Sequence, residues 1–318
     1  MAQFNFLDTA RVAVTQIQQD VRTYLSRVYG NAESIFTTAS PFSQMVKVAS
    51  ELTNMIFYYI EDATVEQNII TAQQPESIYG LARLAGHDPT RGFAAMGEIE
   101  ITWKPGMQSE IAGNTLYINS NSQIRSNNNS LIYLLRSSTD LISISKGLAG
   151  YIKVPVVQGE TQAQNVTGSG EPFQTFNIQT GGVTAHDIVD VAVNGEKWTV
   201  YESLYDMNAS TKGVVIKTGI TGGIDLFFGN GNFGQIPNNG AVIEVNYIKT
   251  NGRSGNLGDS PDISYKFVDP GYDALGNEYD LNNLLEIRST ASPKMGADPE
   301  SIEFTKLIAT LTSKSFVL

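Results

Sequence analysis

Apolar residues recur at two different periods along the chain, and the change of period divides it. Between Asp8 and Tyr29, the residues Val14, Ile17, Val21, Tyr24 and Val28 fall at alternating three- and four-residue steps. That spacing lays one apolar stripe along a helix. Asp8 or Thr9 can cap this helix and Gly30 can end it, the first by accepting from free amides and the second by adopting a left-handed conformation. After Ser40-Pro41, Met45, Val48, Leu52, Met55 and Tyr59 repeat the spacing until Glu61-Asp62 restores polarity. A third helix is predicted from Pro75, with Ile78, Leu81, Ala82 and Ala85 inward and a stop at Gly86 before Asp88-Pro89, since proline favours the first helical position. The first two stripes each run about two heptads, short of a self-sufficient coiled coil. They fit packing within the chain's own domain or association with a partner helix.

From Gly97 the period becomes two. Glu98 to Trp103 alternates strictly, and Asn127-Asn128-Asn129 followed by Leu131 to Leu135 reads as a turn and a buried strand. Ile188 to Val193 and Lys197 to Tyr201 flank Asn194-Gly195, a hairpin signal because a type I′ turn needs two positive φ angles. The Gln, Gly, Ser and Thr of Val157 to Phe173 read as a linker between two β regions. Ile224 to Phe228 is a strand, Gly229 to Gly240 a Gly/Asn/Pro loop, and Ala241 to Tyr247 a returning strand. Residues 256 to 280 look irregular and polar, and Asp298-Pro299-Glu300 opens a last helix carrying Ile302, Leu307 and Ile308. The expected fold class is α+β, with N-terminal helices, two or more Gly/Asn-rich β domains and a short C-terminal helix. The expected boundaries are 1–92 for the helical region, 93–160 and 161–290 for two β domains, and 291–318 for the C-terminal helix.

Composition narrows the function classes. Asp and Glu number 32 against 21 Lys and Arg, for a net charge of -11 over 318 residues. The basic residues are scattered, so a phosphate-neutralising surface is not expected and nucleic acid is excluded as a partner. There is no cysteine, which excludes disulfides and thiolate metal sites. The N-terminus lacks the basic and apolar regions of a signal peptide. The longest apolar run, Met55 to Ile60, is six residues, far below the roughly 20 that span a bilayer. A chain made and kept in a cytoplasm unless assembled, with no membrane partner, is the expectation.

Candidate chemistry is sparse. Gly229-Asn230-Gly231-Asn232-Phe233-Gly234 matches GxGxxG after a strand. A dinucleotide fingerprint must open a helix whose N-terminus holds the pyrophosphate, whereas here Pro237 and Asn238-Asn239-Gly240 lead into a β-alternating run. The glycines are therefore expected to serve a turn. The two histidines, His87 and His186, sit in no metal-ligand or nucleophile spacing; His87 follows a helix C-terminus and His186-Asp187 is expected in a loop. Glu160, Glu171, Asp187, Asp190 and Asp225 could in principle supply a glycosidase pair. Asp259, Asp262, Asp269, Asp273, Glu278 and Asp280 form an acidic tract without the ladder of a calcium loop. No cofactor, metal or catalytic residue is expected.

The segment Phe228-Gly229-Asn230-Gly231-Asn232-Phe233-Gly234-Gln235-Ile236-Pro237-Asn238-Asn239-Gly240, then Ile243 to Tyr247, then Gly252-Arg253-Ser254-Gly255-Asn256 resembles the signature of baseplate J-like proteins. In that family an FG(D/N)GxxGxxPxxG loop is followed by a strand ending in Tyr and by GxxGN. Leu84 to Arg91 with Ala94-Ala95 is similar to the family's small-residue segment, and Gly296-Ala297-Asp298-Pro299-Glu300-Ser301 to its GGxDxES element. The resemblance implies a non-enzymatic wedge subunit of a contractile injection machine, located in the virion tail baseplate and assembled in the bacterial host cytoplasm. It implies partners: the chain itself, as a dimer within a wedge and a ring in the baseplate, and other wedge, hub and sheath-initiating proteins. Under it, Phe228, Gly229, Gly231, Gly234, Pro237, Gly240, Tyr247, Gly255 and Asn256 define the fold, and the stripes Val14 to Val28 and Met45 to Tyr59 are the partner-binding helices. Family members commonly continue beyond the last helix, whereas this sequence stops at Leu318, leaving a short member or a missing C-terminal domain as alternatives. A β-rich tail adhesin or glycan-acting tail enzyme is the rival reading, and a nucleotide-binding protein the third.

Overall fold

The computed structural model describes residues 14–29, 41–127, 130–220, 223–258 and 264–315. The proposed caps Asp8, Thr9 and Gly30, the turn residues Asn128 and Asn129, and Asp259 and Asp262 lie outside the described residues, as do the side chains of Val14 and Ile17. The chain divides into two units, residues 1–87 with 302–318 and residues 88–301.

The first unit is helical: α1 Val14–Tyr29, α2 Pro41–Glu66, α3 Pro75–Leu84 and, from the far end of the sequence, Ile302–Ser315. Helix α2 runs past Glu61-Asp62, where the sequence reading ended it. The Glu66 carboxylate then accepts from the amides of Gln73 and Gln74, closing the turn that leads to α3. Helix α3 stops as predicted, with Gly86 at φ 84. The amides of Gly86 and His87 bond back to Arg83 and Ala82, the paired bonds of a Schellman end. Ile78 and Tyr79 are buried with Ala72, and Ile302 packs against them.

The second unit is two barrel-like sheets. The chain runs through β1 Met96–Trp103, β2 Thr115–Asn119, β3 Gln123–Ser126, β4 Ile132–Leu135, β5 Leu141–Ser145 and β6 Tyr151–Gln158. It continues through β7 Glu160–Thr167, β8 Thr175–Ile178, β9 Thr184–Val193, β10 Glu196–Tyr201, β11 Gly213–Thr218, β12 Ile224–Phe228 and β13 Val242–Lys249. It closes with β14 Tyr265–Phe267, β15 Gly271–Asp273, β16 Glu278–Tyr279, the one-turn α4 Leu281–Leu284 and β17 Leu285–Lys294, so that the C-terminal helix is α5. The first sheet has the order β14-β3-β4-β6-β1-β17, and its edges approach through a Ser264–Arg288 bridge. A four-stranded sheet β16-β15-β2-β5 accompanies it. The second has the order β7-β13-β9-β10-β11-β12-β8. Its edge strands meet where Gln164 Nε2 donates to the carbonyl of Gln179 at 2.9 Å.

This architecture corrects the expected class. The protein is mostly β, 38% strand against 26% helix, with two nearly closed barrel-like sheets, rather than an α+β chain led by N-terminal helices. The stretch read as a linker over Val157 to Phe173 contains β7, paired along β13 from Glu160 to Thr167. As an edge strand with mostly exposed side chains, it has no need of apolar alternation. Residues 256 to 280, read as irregular, supply β14, β15 and β16. Residues 264–294, given by sequence to the second β domain and the C-terminal helix, pair back into the first barrel and its companion sheet. The second barrel is thus an insertion between β6 and β14.

The period-two segments bury the expected faces. Ile99, Ile101 and Trp103 enter the first core with Ile118, Tyr133 and Ile144. Val191, Val193, Trp198, Phe228, Ile243, Val245 and Tyr247 form the second. Asn194 and Gly195 take φ 52 and 79 between β9 and β10, the two positive angles a type I′ turn requires.

Candidate functional site

The Gly/Asn/Pro loop joins β12 to β13 at one end of the second barrel, and its residues are explained by geometry. Phe228 is fully buried, edge-on to Trp198 at 5.6 Å and to Phe176 at 6.0 Å. At Gly229 an added Cβ would lie 2.0 Å from the carbonyl of Phe233 and 2.4 Å from that of Gly234, so the loop folds back onto this glycine too closely for any side chain. Gly231, Gly234 and Gly240 have φ of 87, 79 and 79, the left-handed region. Asn230 Oδ1 accepts from the amides of Asn232 and Phe233, and Gln174 Nε2 donates to the carbonyl of Pro237 at 2.9 Å. No helix follows the last glycine, so the loop lacks the helix N-terminus on which dinucleotide binding depends.

Three segments distant in sequence converge on one joint. Buried Gln158, at the end of β6, accepts from Thr250 Oγ1 and the Asn251 amide, and donates to Asn251 Oδ1. Its side chain occupies the space where a Cβ on Gly255 would lie. Asn256 exchanges two hydrogen bonds with the backbone of Gly296, and Asp298 Oδ1 accepts from the Arg253 amide at 3.0 Å. Tyr247 is buried, its hydroxyl accepting from Gln164 at 3.0 Å. The segments 252–256 and 296–298 therefore hold each other and the exit of β6. Sequence reading singled out Gly255 and Asn256 and placed Asp298 in the GGxDxES-like element without its contact to Arg253, but missed Gln158 and Thr250, whose polar side chains carried no periodic signal.

A short strap, residues 88–93, lies beside this joint. It bonds on one flank to 297–300, through the Phe93–Ala297 amide–carbonyl pair and the amide of Glu300 to the carbonyl of Thr90. On the other flank Arg91, 2% exposed, donates to the carbonyls of His186 at 2.6 Å and Lys217 at 3.2 Å. Burial lowers its guanidinium to about 10, opposed by Asp88, Asp187 and Asp225, so it stays charged at neutral pH. His186, expected in a loop, lies on β9, and its Nδ1 accepts from the Arg91 amide at 3.2 Å. A cavity of about 480 Å³ opens here, lined by Asp88, Arg91, His186, Glu202 and Lys217 among others.

Helix α2 has an inverted polarity. Ser43 and Ser50 are buried, whereas Met45, Val48, Leu52, Met55, Ile56 and Tyr59 are each more than half exposed. On α1, Tyr24 and Val28 are exposed and Val21 half-buried. Helix α5 likewise exposes Phe304, Leu307 and Leu311. The stripes assigned from sequence are thus helical, and their described side chains are largely uncovered.

Several of the remaining carboxylates are engaged locally. Asp190 pairs with Lys197 at 2.5 Å, and Asp225 accepts from Asn177. In the acidic tract Asp269 accepts from the Gln123 amide, Asp280 caps α4 and Asp273 closes a turn. Among the described residues no group of three or more His, Asp or Glu could hold a metal ion, and no helix is long and apolar enough to cross a membrane. No protein-family model and no curated protein matches the chain.

Proposed function

We propose that this protein is a non-enzymatic structural subunit of a contractile-tail baseplate, a wedge or inner-ring scaffold that links hub, tube and sheath. The observation that carries the reading is the uncovered apolar stripe of α2, Met45, Val48, Leu52, Met55 and Tyr59. Contiguous exposed apolar surface marks an interaction site, and a helix offering residues at three- and four-residue steps is suited to a helical partner. The resemblance of residues 228–256 to the baseplate J-like signature specifies the machine, and the packing of that segment into a loop and a joint supports a scaffold role for it. On this reading the partners are a second copy and neighbouring wedge, hub and sheath-initiating proteins, and the barrels act as rigid spacers.

The test is sedimentation of the purified chain, alone and mixed with the tail proteins encoded beside it. A dimer or a stoichiometric complex is the expected result. A monomer indifferent to every tail protein, combined with binding on a glycan array, would instead favour a tail adhesin or glycan-acting enzyme.

A further inference from the structure

The strap 88–93 is held to β9 by a contact that requires one protonation state. The Arg91 amide can only donate, so His186 Nδ1 must accept at 3.2 Å, which places the imidazole proton on Nε2. Beside it the His186 amide donates to the carbonyl of Gly92 at 2.8 Å, Gly92 bridges Ala185, and the Phe93 ring sits 5.7 Å from the imidazole. Thr218 Oγ1 donates to the carbonyl of Pro89, and Lys217 Nζ lies 3.7 Å from the Asp88 carboxylate. The ring thus sits among the bonds by which the strap meets β9 and β11, next to those of the Arg91 guanidinium to the His186 and Lys217 carbonyls.

We propose that His186 makes this strap an acid-weakened latch: protonating its imidazole turns the acceptor for the Arg91 amide into an opposing donor and loosens the strap at Arg91 from β9. The charges around the ring set the direction. Arg91 and Lys217 oppose a second cation, while Asp88 and Asp187 favour one. Glu202 lines the same cavity, and Glu300 faces the strap's other flank, accepting from the Thr90 amide. Burial, then Arg91, hold His186 below its usual value despite the two aspartates. An unfolded histidine takes up its proton near pH 6.5, and this one does so only at lower pH. Between those values the released state binds more protons, so the latch is intact above about pH 6.5 and weakens as the pH falls. The inference is independent of the baseplate reading, since it concerns only how the strap is held.

Amide hydrogen exchange on the full chain, corrected for intrinsic rates, tests it between about pH 7.5 and pH 5, with the imidazole followed by NMR across the range in which histidine titrates. Protection at Arg91 and His186 is expected to fall by up to about tenfold per pH unit below about pH 6.5, for as long as the docked ring stays neutral, while the β12–β13 region holds. The fall should begin near the free-histidine value and level off where the docked ring titrates, and His186→Gln should abolish the pH dependence. A ring titrating at the free-histidine value with protection unchanged, or a glutamine variant that loses protection over the same range, would overturn the proposal. Should that variant not fold, the wild-type chain decides, because the fall in protection must end where the ring is seen to titrate.

Discussion

Asn256 grips the backbone of Gly296 from both sides, its Oδ1 accepting from the Gly296 amide at 2.7 Å and its Nδ2 donating to the Gly296 carbonyl at 2.9 Å. Forty residues separate them in sequence, and in between the chain builds β14 to β17. The side chain therefore ties the exit from the second barrel to the exit from the first. The grip uses both functions of the side-chain amide, its donor and its acceptor.

Asn256→Ala is expected to leave both backbone groups unsatisfied and to cost about 1–3 kcal/mol. Asn256→Asp retains the acceptor but sets an oxygen against the Gly296 carbonyl, and should be no better than alanine. Urea unfolding followed by the fluorescence of Trp103 and Trp198, one in each core, would measure both. A variant as stable as the parent would show that the grip contributes nothing.

The glycines of the β12–β13 loop should separate into two classes. Gly240 has φ 79 but open space around its would-be Cβ, so Gly240→Ala pays for left-handed geometry alone, about 1–2 kcal/mol. Gly229→Ala adds a clash with two carbonyls at 2.0 and 2.4 Å, which no side-chain rotation relieves. It should prevent the loop from closing and cost clearly more than the Gly240 variant. Thermal unfolding of the two variants ranks them.

These contrasts mark what the sequence could say. The β12–loop–β13 unit was legible because its strands alternate and its turn residues are glycines where φ is positive. The β9–β10 hairpin was legible for the same reason. Strand β7 was not, since ETQAQNVT is largely polar on both faces and its pairing partner β13 lies beyond five intervening strands. Residues 264–294 were misplaced because period-two alternation says which face is buried and nothing about which sheet receives it. The joint was half legible. Gly255, Asn256 and Asp298 stood out through resemblance, but Gln158 acts through side-chain hydrogen bonds to Thr250 and Asn251 that leave no pattern. Nothing set Arg91 apart from the other scattered basic residues, because its burial depends on carbonyls of β9 and β11 more than ninety residues away.

Asp273 predicts an acid response of opposite chemistry to the latch. Burial pushes its carboxyl up, but donors from the Asn277 side chain and amide, the Leu275 amide and the Tyr279 hydroxyl outweigh it and hold the group well below the ordinary carboxylate range. A depressed value means stability present above the unfolded carboxylate's pKa, about 4, and lost as the pH falls below it toward the folded value. The turn 273–279 should therefore hold as the pH falls through the range in which histidine titrates and weaken only below about 4. Asp273→Asn, which turns an acceptor into a donor facing donors, should open the turn at every pH. The amide shifts of Leu275 and Asn277 report both.

The two faces of α2 give the sharpest separation of stability from assembly. Ser50 is 1% exposed and donates to the Val46 carbonyl at 2.7 Å, so Ser50→Leu must force a larger side chain into filled space, at about 1–3 kcal/mol. Leu52, two residues on, is 55% exposed. Leu52→Gln with Met55→Gln should change stability by no more than about 0.5 kcal/mol, yet weaken self-association and partner binding, because the surface it alters is uncovered in the isolated chain. Thermal unfolding and sedimentation on the same samples would distinguish the effects. If the double glutamine variant unfolds at much lower temperature, the stripe is part of the chain's own core. If it is equally stable and assembles as well as the parent, the stripe contributes to neither, and the helices must be replaced as the assembly surface by another part of the molecule.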